Sequence, residues 1–151
     1  MNGNDWMDVV TVVQEQHEAA EYALREVAGA SGEARGDRFR SLTELLSAHE
    51  AAEGTVIHPA LRSLGDRGNA ISAARLSEEV EAKKSLADLA TLDAGSDEFG
   101  SRFTELMAAV LQHANNERLS VLPLLQESYT DQERRAMGDA FLAAQHHRPA
   151  E

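Results

Sequence analysis

The element H-x-x-x-E-x5-P-x-L occurs twice in this chain, as His49-x3-Glu53-x5-Pro59-x-Leu61 and as His113-x3-Glu117-x5-Pro123-x-Leu125, at a constant offset of 64 residues. The correspondence extends upstream, pairing Phe39 with Phe103 and Leu42 with Leu106. It takes up two of the three prolines and two of the six histidines, so chance is a poor explanation. Residues four apart share one face of an α-helix, about 6 Å along its axis. The repeat therefore calls for two helices, each carrying an imidazole and a carboxylate one turn apart.

The rest of the sequence agrees with helices. Glycine clusters at 29–37, 65–69 and 94–100 read as loops. The segments between them are rich in Ala, Leu, Glu and Arg, and too long for strands. Thr130-Asp131-Gln132-Glu133 fits a capping box that opens a last, shorter helix running to about Ala144. The expected fold is all-α: an up-down-up-down four-helix bundle over about 5–128, followed by a short C-terminal fifth helix over about 131–145. A length of 151 residues suits a single domain over 1–151.

Each long segment carries an apolar stripe at three- and four-residue steps. Helix 1 reads Val10, Val13, His17, Ala20, Leu24, Val27; helix 2 reads Phe39, Leu42, Leu46, His49, Glu53, Val56, Ala60. Helix 3 reads Leu76, Glu79, Ala82, Leu86, Leu89; helix 4 reads Phe103, Leu106, Val110, His113, Glu117, Ser120, Leu124. Every stripe is interrupted by a histidine or a glutamate. Ionisable groups inside a bundle are expensive unless paired or bound to a metal. A neutral imidazole binds one metal while the carboxylate a turn away bridges towards a second. Two such motifs supply the inventory of a dinuclear iron or manganese centre.

Composition narrows the field further. The absence of cysteine excludes disulfides, thiolate metal sites, iron–sulfur clusters and a cysteine nucleophile. With 14 basic and 26 acidic residues, the net charge of −12 disfavours nucleic acid and anionic membranes as partners. No apolar run approaches the roughly 18 residues of a membrane span, and the N-terminus lacks the pattern of a signal peptide, so a cytoplasmic protein is expected.

Pro59 and Pro123 should bend or end their helices. Helix 2 is expected to finish near Arg62, and helix 4 to kink near Leu119 or to continue briefly to Glu127. His58, nine residues past His49, falls on the opposite helical face and reads as non-ligating. His146 and His147 sit in a tail expected to be disordered. Trp6, Met7, Met107, Met137 and Phe141 read as packing, and Tyr22 as a boundary residue. The apolar first turn and last helix offer a surface for a homodimer, with a monomer as the alternative.

His17, the two H-x-x-x-E pairs and the four amphipathic helices together resemble the hemerythrin-like (HHE cation-binding) family, from about Asp5 to Ala144. The resemblance implies a bundle enclosing two iron ions, bridged by the carboxylates of Glu53 and Glu117 and by an oxo or hydroxo group. It also implies terminal imidazoles from His17, His49 and His113, and an open position for dioxygen, hydrogen peroxide or nitric oxide. The family usually places a histidine on helix 3, where this chain has none; by stripe and register Glu79 stands there, with Glu78, Glu81 and Glu21 as fallbacks. Gly54 stands where relatives often carry a second glutamate, and close packing is its expected justification. Three imidazoles with three carboxylates form a hard, anionic ligand set that favours the ferric state. That set points to peroxide or oxygen turnover rather than reversible carriage, and resembles the actinobacterial hemerythrin-like proteins, some of which decompose hydrogen peroxide. The alternatives are a non-catalytic protein that binds, senses or stores oxygen or iron, and a metal-free interaction bundle.

Overall fold

The computed structural model describes residues 8–146. The expected start of the bundle near residue 5, the packing roles of Trp6 and Met7, and His147 lie outside them. Five helices account for the described chain: α1 (Val9–Gly29), α2 (32–62), α3 (Gly65–Ala90), α4 (97–128) and α5 (Asp131–His146). Asp8 caps α1 by accepting from the Val10 N–H, and Ser96 caps α4 by accepting from the Phe99 N–H. The capping box forms as expected. Thr130 N–H donates to the Glu133 carboxylate, and Glu133 N–H donates to the Thr130 hydroxyl.

The connections are shorter than the glycine clusters suggest. Only 30–31, 63–64, 91–96 and 129–130 lie between helices. Much of 32–37, all of 65–69 and 97–100 belong to first turns, where Glu33, Asp66, Asp97 and Glu98 complement the positive end of the helix dipole. Gly65, with φ of 83°, makes the tight reversal between α2 and α3. At Gly68 a Cβ would sit 1.9 Å from the Leu61 carbonyl oxygen, so only glycine allows α3 to pass so close to the end of α2. Helix α5 extends beyond Ala144 to include His146, which is therefore helical rather than tail.

Two apolar cores lie along the bundle. One gathers Val9, Val10, Val12, Val13, Ile57, Leu61, Val121, Leu122, Leu124, Leu125 and Phe141; the other gathers Leu24, Val27, Leu42, Leu46, Leu86, Leu89 and the Phe39/Phe99/Phe103 cluster. Successive helices meet these cores in opposite order, which is the up-down-up-down succession. The apolar first turn of α1 is buried against Phe141 of α5 within the chain, so it does not offer the homodimer surface expected of it. On α3 the buried stripe is Gly68, Ser72, Glu79, Ala82, Leu86 and Leu89, whereas Leu76 is exposed. In all four long helices the His/Glu interruptions fall between the two cores.

Both proline-bearing helices adopt the same local solution. The α-helix widens into a five-residue π turn at Glu53–Ile57 in α2 and at Glu117–Val121 in α4. The last donor before each proline, the N–H of His58 or Leu122, reaches back to the carbonyl of Glu53 or Glu117. A proline ring clashes with the carbonyl four residues earlier in a regular helix, and the wider turn relieves that contact. As expected, α2 finishes at Arg62, and α4 continues past its proline to Ser128. The wider turn absorbs one residue and sets everything beyond it back by about 100°. His58 therefore behaves as an i+8 neighbour of His49 and points inward, correcting its expected outward placement; it is 1% exposed.

Candidate metal centre

The layer between the cores gathers all six residues singled out by the stripes. His17, His49, Glu53 and Glu117 each offer one donor atom within 4.8 Å of the others, and so do Glu53, Glu79, His113 and Glu117. Glu53 and Glu117 belong to both sets. His49 Nε2 lies 3.4 Å from Glu53 Oε2, and His113 Nε2 lies 3.6 Å from Glu117 Oε2 and 3.9 Å from oxygens of Glu53 and Glu79. His17 Nε2 stands 2.8 Å from Glu117 Oε1.

Outer partners aim the imidazoles. His49 Nδ1–H donates to Gln16 Oε1 at 2.8 Å, leaving Nε2 towards the centre. Gln16 in turn exchanges amide hydrogen bonds with Gln145 of α5, and the Phe141 ring packs edge-on against His49. His113 Nδ1–H donates to Glu78 Oε1 at 2.7 Å, and Arg75 and Asn116 both donate to the same carboxylate. Glu78 is thus an orienting partner rather than a member of the cluster. Glu81 is exposed, and Glu21 pairs with Arg25 at the surface. Tyr22 is exposed as well. Gly54 is exposed with open space where a Cβ would stand, so close packing does not account for it.

The electrostatics suit a cation. Burial pushes the Glu117 carboxyl well above the ordinary range, and the neighbouring Glu53 and Glu79 push it further. Burial is also the largest single influence on Glu53 and would raise it, but His49, Glu117 and His113 together outweigh it and hold the carboxylate low. Burial opposes a charge on His113 as well, yet Glu53, Glu78 and Glu79 raise it to about 9; His49 is raised by Glu53 against the same penalty. His17, by contrast, is lowered to about 4 by burial and by the nearby His49. His49 Nε2, His113 Nε2, both Glu53 oxygens and Glu117 Oε2 are buried without a hydrogen-bond partner. Orphaned groups of this kind are costly, and cations seated in the two overlapping sets would satisfy them. Imidazole and carboxylate donors fit iron, manganese or zinc.

A cavity of about 40 Å³ opens onto the cluster between His17, His49, His113 and Glu79 and is walled by apolar side chains including Leu24 and Leu46. Glu50 also lines it, and burial together with Glu79 and Glu53 pushes its carboxyl up to about 7. Sequence reading did not single out Glu50; its place beside His49 in a repeated HEAAE pentapeptide was the available signal. Among the described residues no helix is long and apolar enough to cross a membrane. Comparison with curated proteins and with solved structures gives no match. The profile of the Hemerythrin HHE cation binding domain matches residues 8–125, four-fifths of the chain and every residue of the cluster, and the chain belongs to that family.

Proposed function

We propose that this protein holds two iron ions and uses them on a small oxygen- or nitrogen-containing ligand (hydrogen peroxide, dioxygen or nitric oxide), with catalase- or peroxidase-like turnover of peroxide as the favoured activity. The observation that carries this reading is the sharing of Glu53 and Glu117 between two four-donor sets. Carboxylates common to two sets are what a bridged pair of cations needs. In this reading His17 and His49 hold one ion, Glu79 and His113 the other, and Glu53 and Glu117 span both.

Two irons, when bound, supply the reversible one- and two-electron chemistry that the side chains lack. The chain's own contribution is enclosure and protons. The apolar wall around the cavity limits entry to small molecules and keeps bulk water away. Glu50, outside the ligand set, carries a protonatable carboxyl on the cavity wall and can give a proton to, or take one from, a ligand there. The carboxylate-rich set favours the ferric state and hence turnover over reversible carriage.

Metal analysis and the absorption spectrum of protein purified aerobically without a histidine tag test this reading. About two irons per chain, near-ultraviolet charge-transfer bands and accelerated loss of added peroxide are expected. A folded, colourless, metal-free protein would overturn it. Iron-loaded protein that leaves peroxide untouched would overturn the turnover and leave cation binding.

A further inference from the structure

Among the positions buried in both helices, the repeat relating α2 to α4 changes from an ionisable group to hydrocarbon at one: α4 carries Leu122 where α2 carries His58. Leu122 lies in the apolar core at 2% exposure, and His58 is at least as buried. An imidazole in a place that hydrocarbon fills in the other half is unfavourable unless both of its nitrogens are paired. Both are. Nε2 lies 2.9 Å from Glu79 Oε2, and Nδ1 lies 2.8 Å from Ser72 Oγ. A carboxylate only accepts, so Nε2 carries a proton, and in the neutral imidazole Nδ1 accepts from the Ser72 hydroxyl.

Ser72 and Glu79 are seven residues apart on α3, two turns along one face, and both are buried. The donors run in one direction, from Ser72 to His58 to Glu79. The chain of bonds ends on the Glu79 oxygen that stands 3.9 Å from His113 Nε2. Glu79 needs such help more than its neighbours do. Glu53 and Glu117 each stand one turn from a histidine of their own helix, and each begins a π turn. Glu79 has neither support, since α3 carries no histidine of its own and no π turn.

We propose that His58 is a positioning residue: oriented by Ser72 and turned inward by the π turn of α2, it fixes the Glu79 carboxylate as the contribution of α3 to the second cation. The inference rests on the metal-centre reading. It leaves the place of the missing helix-3 imidazole to Glu79 and makes the imidazole of His58 its orienting partner rather than a ligand.

Cobalt(II) titration of the full chain, followed by visible absorption, tests the proposal. The wild type is expected to take up two equivalents. His58→Leu should keep one and weaken the other by about 10–100-fold, the usual effect of losing an outer partner. His58→Gln, which can still donate to Glu79, should recover most of that loss. Ser72→Ala should weaken the same cation by a smaller factor, and it carries the test should His58→Leu not fold. In the metal-free protein, nitrogen-15 histidine spectra should show His58 as the Nε2–H tautomer, with a protected ring proton that Glu79→Ala removes. Two equivalents bound equally well by wild type and by His58→Leu would overturn the positioning role and leave the metal centre standing. Loss of a nitrogen donor from the cobalt spectrum in His58→Leu would overturn it in favour of direct ligation. A wild type that takes up no cobalt would overturn both readings.

Discussion

The two halves of the bundle repeat one plan with different charges. The α1–α2 half brings two imidazoles and one carboxylate, His17, His49 and Glu53, and the outer partner of His49 is the neutral amide of Gln16. The α3–α4 half brings one imidazole and two carboxylates, Glu79, His113 and Glu117, and the outer partner of His113 is the carboxylate of Glu78. A repeated backbone thus supports two unlike environments, and the second has the greater pull on a cation. The lesson is that helix geometry sets where donors stand, while single substitutions on those helices set how strongly each half attracts charge.

Removing the shared residues should erase the comparison altogether. Glu53→Ala or Glu117→Ala is expected to abolish binding of both cations, whereas His49→Ala and His113→Ala should each impair one. Metal analysis after gel filtration checks this. Thermal melts should agree: about 100-fold excess of metal over Kd adds roughly 2.7 kcal/mol to the wild type and nothing to a variant that cannot bind.

Exchanging the outer partners should narrow the gap between the halves. Glu78→Gln is expected to weaken the cation at His113 by about 10–100-fold. Gln16→Glu should strengthen the one at His49. Stepwise cobalt or manganese titration reads both, and equal shifts at the two sites in either variant would break the assignment of partners to halves.

Protons sharpen the same contrast in the metal-free protein. His113 is raised to about 9, so its folded form holds a proton that the unfolded chain releases near 6.5. Its stabilisation is complete below about pH 6.5 and disappears as pH rises through 9. His17, lowered to about 4, does the opposite: its contribution is present above about 6.5 and is lost as pH falls through 4. Melting temperature against pH should lose its alkaline limb in His113→Gln and keep it in His17→Gln. Adding metal at pH 7 should release protons, since His113 must give up its charge to ligate.

The smallest effects concern backbone. Gly68→Ala must push on the Leu61 carbonyl and should destabilise by about 1–3 kcal/mol. Gly54→Ala meets only open space and should stabilise by about 0.4–1 kcal/mol. Chemical denaturation measures both.

Most of the fold was legible because the apolar stripes have a strict helical period, and that period also carried His17, His49, Glu53, His113 and Glu117 to one layer. Glu79 followed from register on α3. His58 did not, because its face was counted at 100° per residue across a turn that is not an α turn. The glycine clusters misled for a related reason: Gly32 and Gly65 mark helix starts, where the chain reverses, rather than long loops. The covering of the first turn by Phe141 depends on a contact between distant parts of the chain, and nothing local announces it.

A π turn within a helix resembles a dislocation in a crystal: it can migrate along the lattice by exchanging one bond at a time with the next. In α2 and α4 that movement is blocked on one side, because the next residue is Pro59 or Pro123 and has no N–H to pass on. Each proline therefore acts as an impurity that pins the defect. The pinned defect starts at Glu53 or Glu117, so it cannot slide past the two shared carboxylates towards the C-terminal end of either helix.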